Sequence, residues 1–178
     1  MGKSNDPIGK KTRKTAGRKS SPSYAIIDSK SVKTAFSCED KGIDGGKKVK
    51  GRKKHIIVDT MGNLLAIIVH AANIHDTKSG INPAKAAFEK YPTIQRFCGD
   101  AGYRQSFEKD VLEQLGLAVD ISKRIKPEFD VLPKRWIVER TFAWSDNSRR
   151  LAKDFVRKIS HAQNMFIISH LHTLLNRY

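Results

Sequence analysis

At 178 residues the chain has the length of one domain, enough to bury a substantial core. Lys and Arg number 34 against 18 Asp and Glu, a formal net charge of +16, which points to nucleic acid ahead of an anionic membrane or an acidic partner. The longest apolar run, Leu64 to Val69, is too short for a membrane span, and the basic N-terminus has no apolar segment behind it to make a secretory signal. Cys38 and Cys98 stand far apart and in no CxxC or His-rich spacing, which argues against a disulfide framework or a zinc site and for a reducing cytoplasm.

Residues 1–23 carry seven Lys or Arg (Lys3, Lys10, Lys11, Arg13, Lys14, Arg18, Lys19) with Gly, Ser and Pro and no periodicity. They are expected to be a disordered basic arm, either a solvated linker or a tail that touches DNA, ahead of a folded domain over 24–178. Tyr24 to Ile27 is a short apolar run leading into Asp28-Ser29-Lys30-Ser31-Val32, a strand with an acid at or near its carboxyl end. Residues 34–54 are polar, Gly-rich and very basic, with Lys41, Lys47, Lys48, Lys50, Arg52, Lys53 and Lys54. Such a segment reads as a loop or exposed edge whose amides and cations grip phosphates, although no P-loop pattern is present.

His55–Asp59 and Leu64–His70 then flank a turn at Thr60-Met61-Gly62-Asn63, a hairpin whose continuous apolar runs suggest burial on both faces. A helix follows, with Asn82 and Pro83 as N-cap and first residue and Tyr91-Pro92 closing it. Thr93 to Cys98 reads as a strand ending in Gly99-Asp100-Ala101-Gly102-Tyr103, Ser106 to Leu115 as a helix stopped by Gly116, and Leu117 to Ile121 as a fifth strand. A loop with Pro127 and Pro133 leads to a helix starting near Pro133, and Ser160 caps a last helix over 161–176. This order gives an antiparallel meander followed by parallel crossovers: an α/β fold with a mixed five-stranded sheet and helices on both faces. Asp28 and Asp100 fall at strand carboxyl ends, where such sheets form sites.

On the helix after Pro133, Arg135, Glu139, Asp146 and Arg150 share one narrow stripe bordered by Trp136, Val138, Phe142 and Ala143. The plain reading is an Arg135–Glu139 surface ion pair. The functional one is that Glu139 meets Asp28 and Asp100. Three converging carboxylates repel one another, and two hard divalent cations held between them resolve that repulsion and serve phosphoryl transfer on nucleic acid. Asp59 is better explained as a turn residue, Asp120 as a strand residue facing solvent or a Lys, and His70, His75 and Asp76 as strand-end and cap residues. Trp136 and Trp144 read as packing, whereas Arg140, Arg149, Arg150, Lys153, Arg157 and Lys158 form a phosphate face.

Four stretches carry a resemblance: Ile27-Asp28-Ser29-Lys30-Ser31-Val32-Lys33-Thr34, Gly46 through Ile56, Gly99-Asp100-Ala101-Gly102-Tyr103, and Arg135-Trp136-Ile137-Val138-Glu139-Arg140-Thr141-Phe142-Ala143-Trp144. From about Tyr24 to the C-terminus the chain resembles the DDE transposases of bacterial insertion sequences. That resemblance implies an RNase H-like catalytic fold, with Asp28, Asp100 and Glu139 matching the family's two Asp and its Glu. It implies two Mg²⁺ or Mn²⁺ ions on those three residues, and metal-dependent cleavage and transfer of DNA strands. Double-stranded DNA, as element ends and target, is the partner so implied, contacted by Lys47, Lys48, Lys50, Arg52, Lys53, Lys54, Arg135, Arg140, Arg149 and Arg150. A homo-oligomer on DNA is a further partner so implied. Arg135 fits the position four before the Glu, while Leu132 stands where a Tyr is often seen and no Lys lies seven after Glu139. Because 27 residues precede Asp28, an upstream DNA-binding domain or a second reading-frame product is expected to supply end selectivity. The alternative reading is a non-catalytic basic DNA-binding protein, a decayed or truncated remnant of such a transposase.

Overall fold

The computed structural model describes residues 6–35, 37–122 and 134–177. Expectations resting on Lys3, Pro127, Leu132 and Pro133 lie outside these residues. The sheet is built on β1 (Tyr24–Lys33), β3 (Val49–Asp59) and β4 (Leu64–Ala71), an antiparallel meander in which β3 is central. Its second turn is tight because Gly62 takes φ 87°, open to glycine at no steric cost. β5 (Arg96–Gly99) runs parallel to β1, and β6 (Ala118–Ile121) parallel to β5. This order, with antiparallel strands on one side and parallel ones on the other, is RNase H-like. A sixth strand not foreseen, β2 (Gly42–Asp44), pairs with Val49–Gly51 at the start of β3, so part of the Gly-rich segment is sheet edge.

Strand alternation sends the two faces of the sheet into two cores. On one, Ala25, Ile27, Ile57 and Leu65 pack with Ala84 and Ala87 of α3 (Ile81–Lys90) and Phe107 and Val111 of α4 (Ser106–Leu115). On the other, Ile26, Ile56 and Val58 meet Val138 and Phe142 of α5 (Arg135–Asp146), Leu151, and Phe166 of α7 (Ile159–Leu175). Each large apolar side chain so buried stabilises the fold by about 1.5–3 kcal/mol. The short helices α2 (Asp76–Ser79) and α6 (Arg149–Ala152) complete the two layers. No helix among the described residues is long and apolar enough to cross a membrane.

Element ends follow local hydrogen bonding. α4 stops where expected, at Gly116 with φ 68°. α7 begins at Ile159 rather than after a Ser160 cap, because the Glu39 carboxylate accepts from the Ile159 amide at 3.0 Å. β5 begins at Arg96 rather than Thr93, whose hydroxyl instead bonds the Pro22 carbonyl at 2.7 Å.

Among the described residues, from Asp6 onward, the arm expected to be disordered over 1–23 departs from that expectation. Pro7–Thr15 forms a helix, α1, with Pro7 in its first turn and Asp6 as N-cap accepting from the Gly9 amide at 2.9 Å. Arg13 is buried and its guanidinium meets Asp59 at 2.7 Å, while the Thr12 hydroxyl reaches Asn63 at 3.2 Å. Composition alone misses this helix because its polar side chains find partners on the β3–β4 turn, far along the chain.

Candidate active site

Asp28 faces the α5 side of the sheet, as Ile26 and Lys30 do, by the two-residue alternation of β1. It does not end its own strand: β1 continues to Lys33 along β3. What ends near it is the parallel pairing, which runs from Tyr24–Arg96 to Ile26–Cys98 and no further. Asp100 follows β5 directly and caps a single 3-10 turn, Ala101–Tyr103, its Oδ1 accepting from the Gly102 amide at 2.8 Å. Glu139 rises from α5 beside Val138, which is fully buried.

Arg135 joins these groups. Its Nε lies 3.0 Å from Glu139 Oε1, and its Nη2 lies 3.7 Å from Asp100 Oδ2. The surface ion pair read from sequence therefore exists, but the same guanidinium reaches across to the acid at the end of β5. Burial lifts the Asp28 carboxyl to about 6; the Ser29 amide opposes this, the Asp100 charge adds to it, and Arg135 and Lys47 oppose it. The Ser29 amide donates to Asp28 Oδ1 at 2.7 Å, and the Lys47 ammonium lies 3.5 Å from the Ser29 carbonyl. Asp28 and Asp100 thus share one electrostatic neighbourhood around Arg135, which also holds Glu139. Among the described residues no three carboxylate, imidazole or thiol groups already stand as a ready-made metal cluster.

The expected basic face divides in two. Lys47, Lys48, Lys50, Arg149 and Arg150 are exposed. Arg52, Lys53 and Lys54, expected to contact DNA, are buried in mid-strand and are corrected to internal partners. Arg52 pairs with Asp154 at 3.1 Å, Lys53 with Asp76 at 2.8 Å, and Lys54 donates to the Leu151 carbonyl at 3.3 Å. Burial pushes the Lys54 ammonium down to about 8. Arg140 lies between the Trp136 and Trp144 rings, 4.5 Å from each centroid, and donates to the Met61 carbonyl at 3.1 Å.

The rival acids have structural roles. Asp59 accepts from the Met61 and Asn63 amides at 2.8 and 2.9 Å, a turn residue as read. Asp120 pairs not with a Lys but with Arg96 at 2.8 Å, and accepts from the Tyr24 hydroxyl at 2.9 Å. His75 caps α2, accepting from the Thr77 amide. Lys30 was not singled out from sequence. It bonds Asp146 across to α5, and its position two residues after Asp28, hence on the same strand face, is the signal that could have found it.

A family described as Transposase DDE domain matches residues 19–175, nearly the whole chain. The chain belongs to this family. A relative from Burkholderia cepacia, described as a putative transposase for insertion sequence element IS402, is 32% identical over 120 residues, covering 61% of this chain and 55% of the relative. The chain therefore spans about half the length of that curated relative. Among solved structures, the catalytic core domain of BIV integrase matches with a TM-score of 0.49 at 10% identity, over 84% of this chain and 81% of that one. The Mos1 mariner paired end complex with Mn matches with a TM-score of 0.42 at 14% identity, over 96% of this chain and 58% of that one.

Proposed function

We propose that this transposase domain cleaves DNA strands and joins the freed 3′ ends to target DNA, using divalent cations held by Asp28, Asp100 and Glu139. The observation that carries the reading is Arg135, one guanidinium coupled to acids from β1, β5 and α5 at the point where the parallel pairing of the sheet stops. The donor set is hard carboxylate oxygen, which suits Mg²⁺ or Mn²⁺. A half-buried Asp28 whose charge is costly beside Asp100 gains most from a nearby cation. Bound there, two such ions supply activation of an attacking oxygen and stabilisation of the leaving one.

The remaining work belongs to the protein. Arg135 neutralises Asp100 and Glu139, and were cations to hold those two acids its planar fork would be available to a phosphate. Lys47 stands beside Asp28 and places a positive charge at the scissile phosphate, with Lys48 on the same exposed turn, Lys50 at the exposed start of β3, and Arg149 and Arg150 beyond α5 holding the flanking backbone. These contacts fix the position of the duplex and carry no sequence information.

The test is nicking and strand transfer on DNA bearing the element ends, with and without Mg²⁺ or Mn²⁺. Asp100→Asn is expected to abolish both activities while leaving duplex affinity equal or higher, since the change removes a negative charge near the phosphates. Nicking by Asp100→Asn at the wild-type rate sinks the assignment. Salt-sensitive DNA binding with no metal-dependent cleavage by the wild-type chain would instead favour the non-catalytic remnant.

A further inference from the structure

The crevice between Asp28 and Asp100 has no ladder across it. β1 and β5 are paired only through Ile26 and Cys98; beyond that, β1 stays with β3 while β5 stays with β6 as far as Gly99. Two like charges at the lips of such an opening push it wider. A structural element other than the sheet must therefore set the gap.

Tyr103 ends the 3-10 turn that Asp100 caps, and its side chain turns back beneath the sheet on the face away from α5. The ring packs edge-on against Phe107 at 5.2 Å between centroids and closes so tightly on Gly99 that a Cβ there would lie 3.1 Å from Tyr103. Its hydroxyl meets His55 Nε2 at 2.7 Å. His55 is fully buried on β3, directly opposite Ser29, the neighbour of Asp28. The Tyr103–His55 hydrogen bond therefore connects the turn that carries Asp100 to the strand pair that carries Asp28.

The protons of this link are assigned by its far end. The Ala71 carbonyl can only accept, so His70 Nδ1, 2.9 Å away, donates to it. Burial pushes His70 below its ordinary value and holds His55 down at about 3, so both rings are neutral. His70 Nε2 must then accept from His55 Nδ1 at 3.0 Å, and His55 Nε2 must accept from the Tyr103 hydroxyl. The Ser79 hydroxyl, which donates to the His75 carbonyl at 3.0 Å, sits 3.3 Å from the same His55 Nδ1. A chain with all its protons pointing one way is stronger than its separate bonds and holds one geometry.

We propose that Tyr103 and His55 are positioning residues, whose hydrogen bond clasps the Asp100 turn to the β1–β3 pair and sets the spacing of Asp28 and Asp100 for divalent cations. The clasp rests on the metal-dependent reading given above and deepens it. Neither side chain touches DNA or metal; both act through Asp100.

Three variants test the clasp. Tyr103→Phe removes only the hydroxyl, His55→Leu removes the acceptor, and His55→Gln keeps an amide oxygen where Nε2 stood. The first readout needs no metal: hydrogen exchange of the Gly102 amide, which bonds Asp100 Oδ1 directly, measured against an amide of the central strand β3 such as that of Ile57. The second is Mn²⁺ affinity by electron paramagnetic resonance in the absence of DNA. Tyr103→Phe and His55→Leu are expected to speed Gly102 exchange relative to Ile57 and to weaken Mn²⁺ binding about 10- to 100-fold, the usual effect of losing a partner behind a ligand. His55→Gln is expected to recover most of both. Wild-type Mn²⁺ affinity in Tyr103→Phe overturns the proposal, and so does unchanged exchange at Gly102. If the wild-type chain binds no Mn²⁺ at all, the metal-dependent function fails instead, and the Gly102 exchange still decides whether the clasp exists.

Discussion

Replacing Arg52 with Met separates an internal cation from one that grips DNA. The Arg52 side chain has no accessible surface, and its guanidinium serves four acceptors. Nε donates to the Glu39 carbonyl at 2.8 Å, Nη1 to Asp154 and the Val156 carbonyl at 3.1 Å each, and Nη2 to the Arg157 carbonyl. Met fills the same stem but leaves a buried carboxylate with the Val156 amide at 3.0 Å as partial compensation. Removing one partner of a buried pair costs about 3–5 kcal/mol. For a domain of this size, each kcal/mol moves Tm by about 2–4 °C, so Tm should fall by roughly 6–20 °C. The double variant Arg52→Met/Asp154→Leu should recover much of that loss, since no charge is then left unpaired. Duplex binding in the cold should keep its salt dependence, whereas Lys48→Gln and Lys50→Gln should each flatten the log–log slope by about 0.9. Thermal unfolding and a salt titration of binding to duplex DNA measure both effects. An Arg52→Met protein that melts within about 2 °C of wild type and loses about one unit of slope would refute the burial reasoning.

Two further outcomes check the fold and its pH dependence. His170 is buried and accepts from the Leu64 amide at 3.0 Å through Nε2, a bond only the neutral ring can make, and burial holds it down at about 4. The unfolded chain takes up the proton first, so stability is complete above about pH 6.5 and falls by about 3 kcal/mol as pH drops towards 4. His170→Gln, which keeps an acceptor that does not titrate, should remove that slope in urea melts; an unchanged slope would show that another group carries it. Asp59→Ala should cost about 3 kcal/mol by stranding the buried Arg13 and opening the β3–β4 turn, and should speed protease cleavage between residues 7 and 23. Equal cleavage rates for the two proteins would mean that α1 is not held by Asp59.

Much of the sheet was legible because its signals are local. Apolar runs, the Gly62 turn and the Gly116 stop place the second part of β3, from His55, with β4 and α4, without reference to the rest of the chain. The order of strands then follows from crossover length. α1 and β2 were not legible for the opposite reason. Neither has a large apolar face, and each is held by polar partners: the β3–β4 turn and Tyr91 for α1, the first residues of β3 and Ser31 of β1 for β2. The three acids were found because each sits in a distinctive stretch. Their counter-ion was seen only as a helix neighbour of Glu139, since Asp100 reaches it through space.

The basic run Arg52-Lys53-Lys54 is the clearest case of composition misleading about position. Seven cations in a Gly-rich stretch average to an exposed loop, yet these three occupy the central strand, between β1 and β4, where a side chain has no route to solvent. Their partners explain why such a costly arrangement persists. Arg52 holds Asp154, whose backbone also bridges the end of β1 through Lys33 and Ala35 at 2.8 Å each. Lys54 holds the Leu151 carbonyl, and Lys30 on the paired strand holds Asp146. The acceptors of Arg52, Lys54 and Lys30 lie at the end of α5 or just beyond it, and these cations lie on β1 and β3, the strand pair that carries Asp28. An apolar contact between helix and sheet resists separation but permits sliding, whereas a directed bond from a buried cation also fixes register. Glu139 lies seven residues, two helical turns, before Asp146. Two of the cations that sequence assigned to DNA, Arg52 and Lys54, thus serve the same site from within, together with Lys30, by fixing where along β1 the helix of Glu139 comes to rest, whereas Lys53 is turned to Asp76.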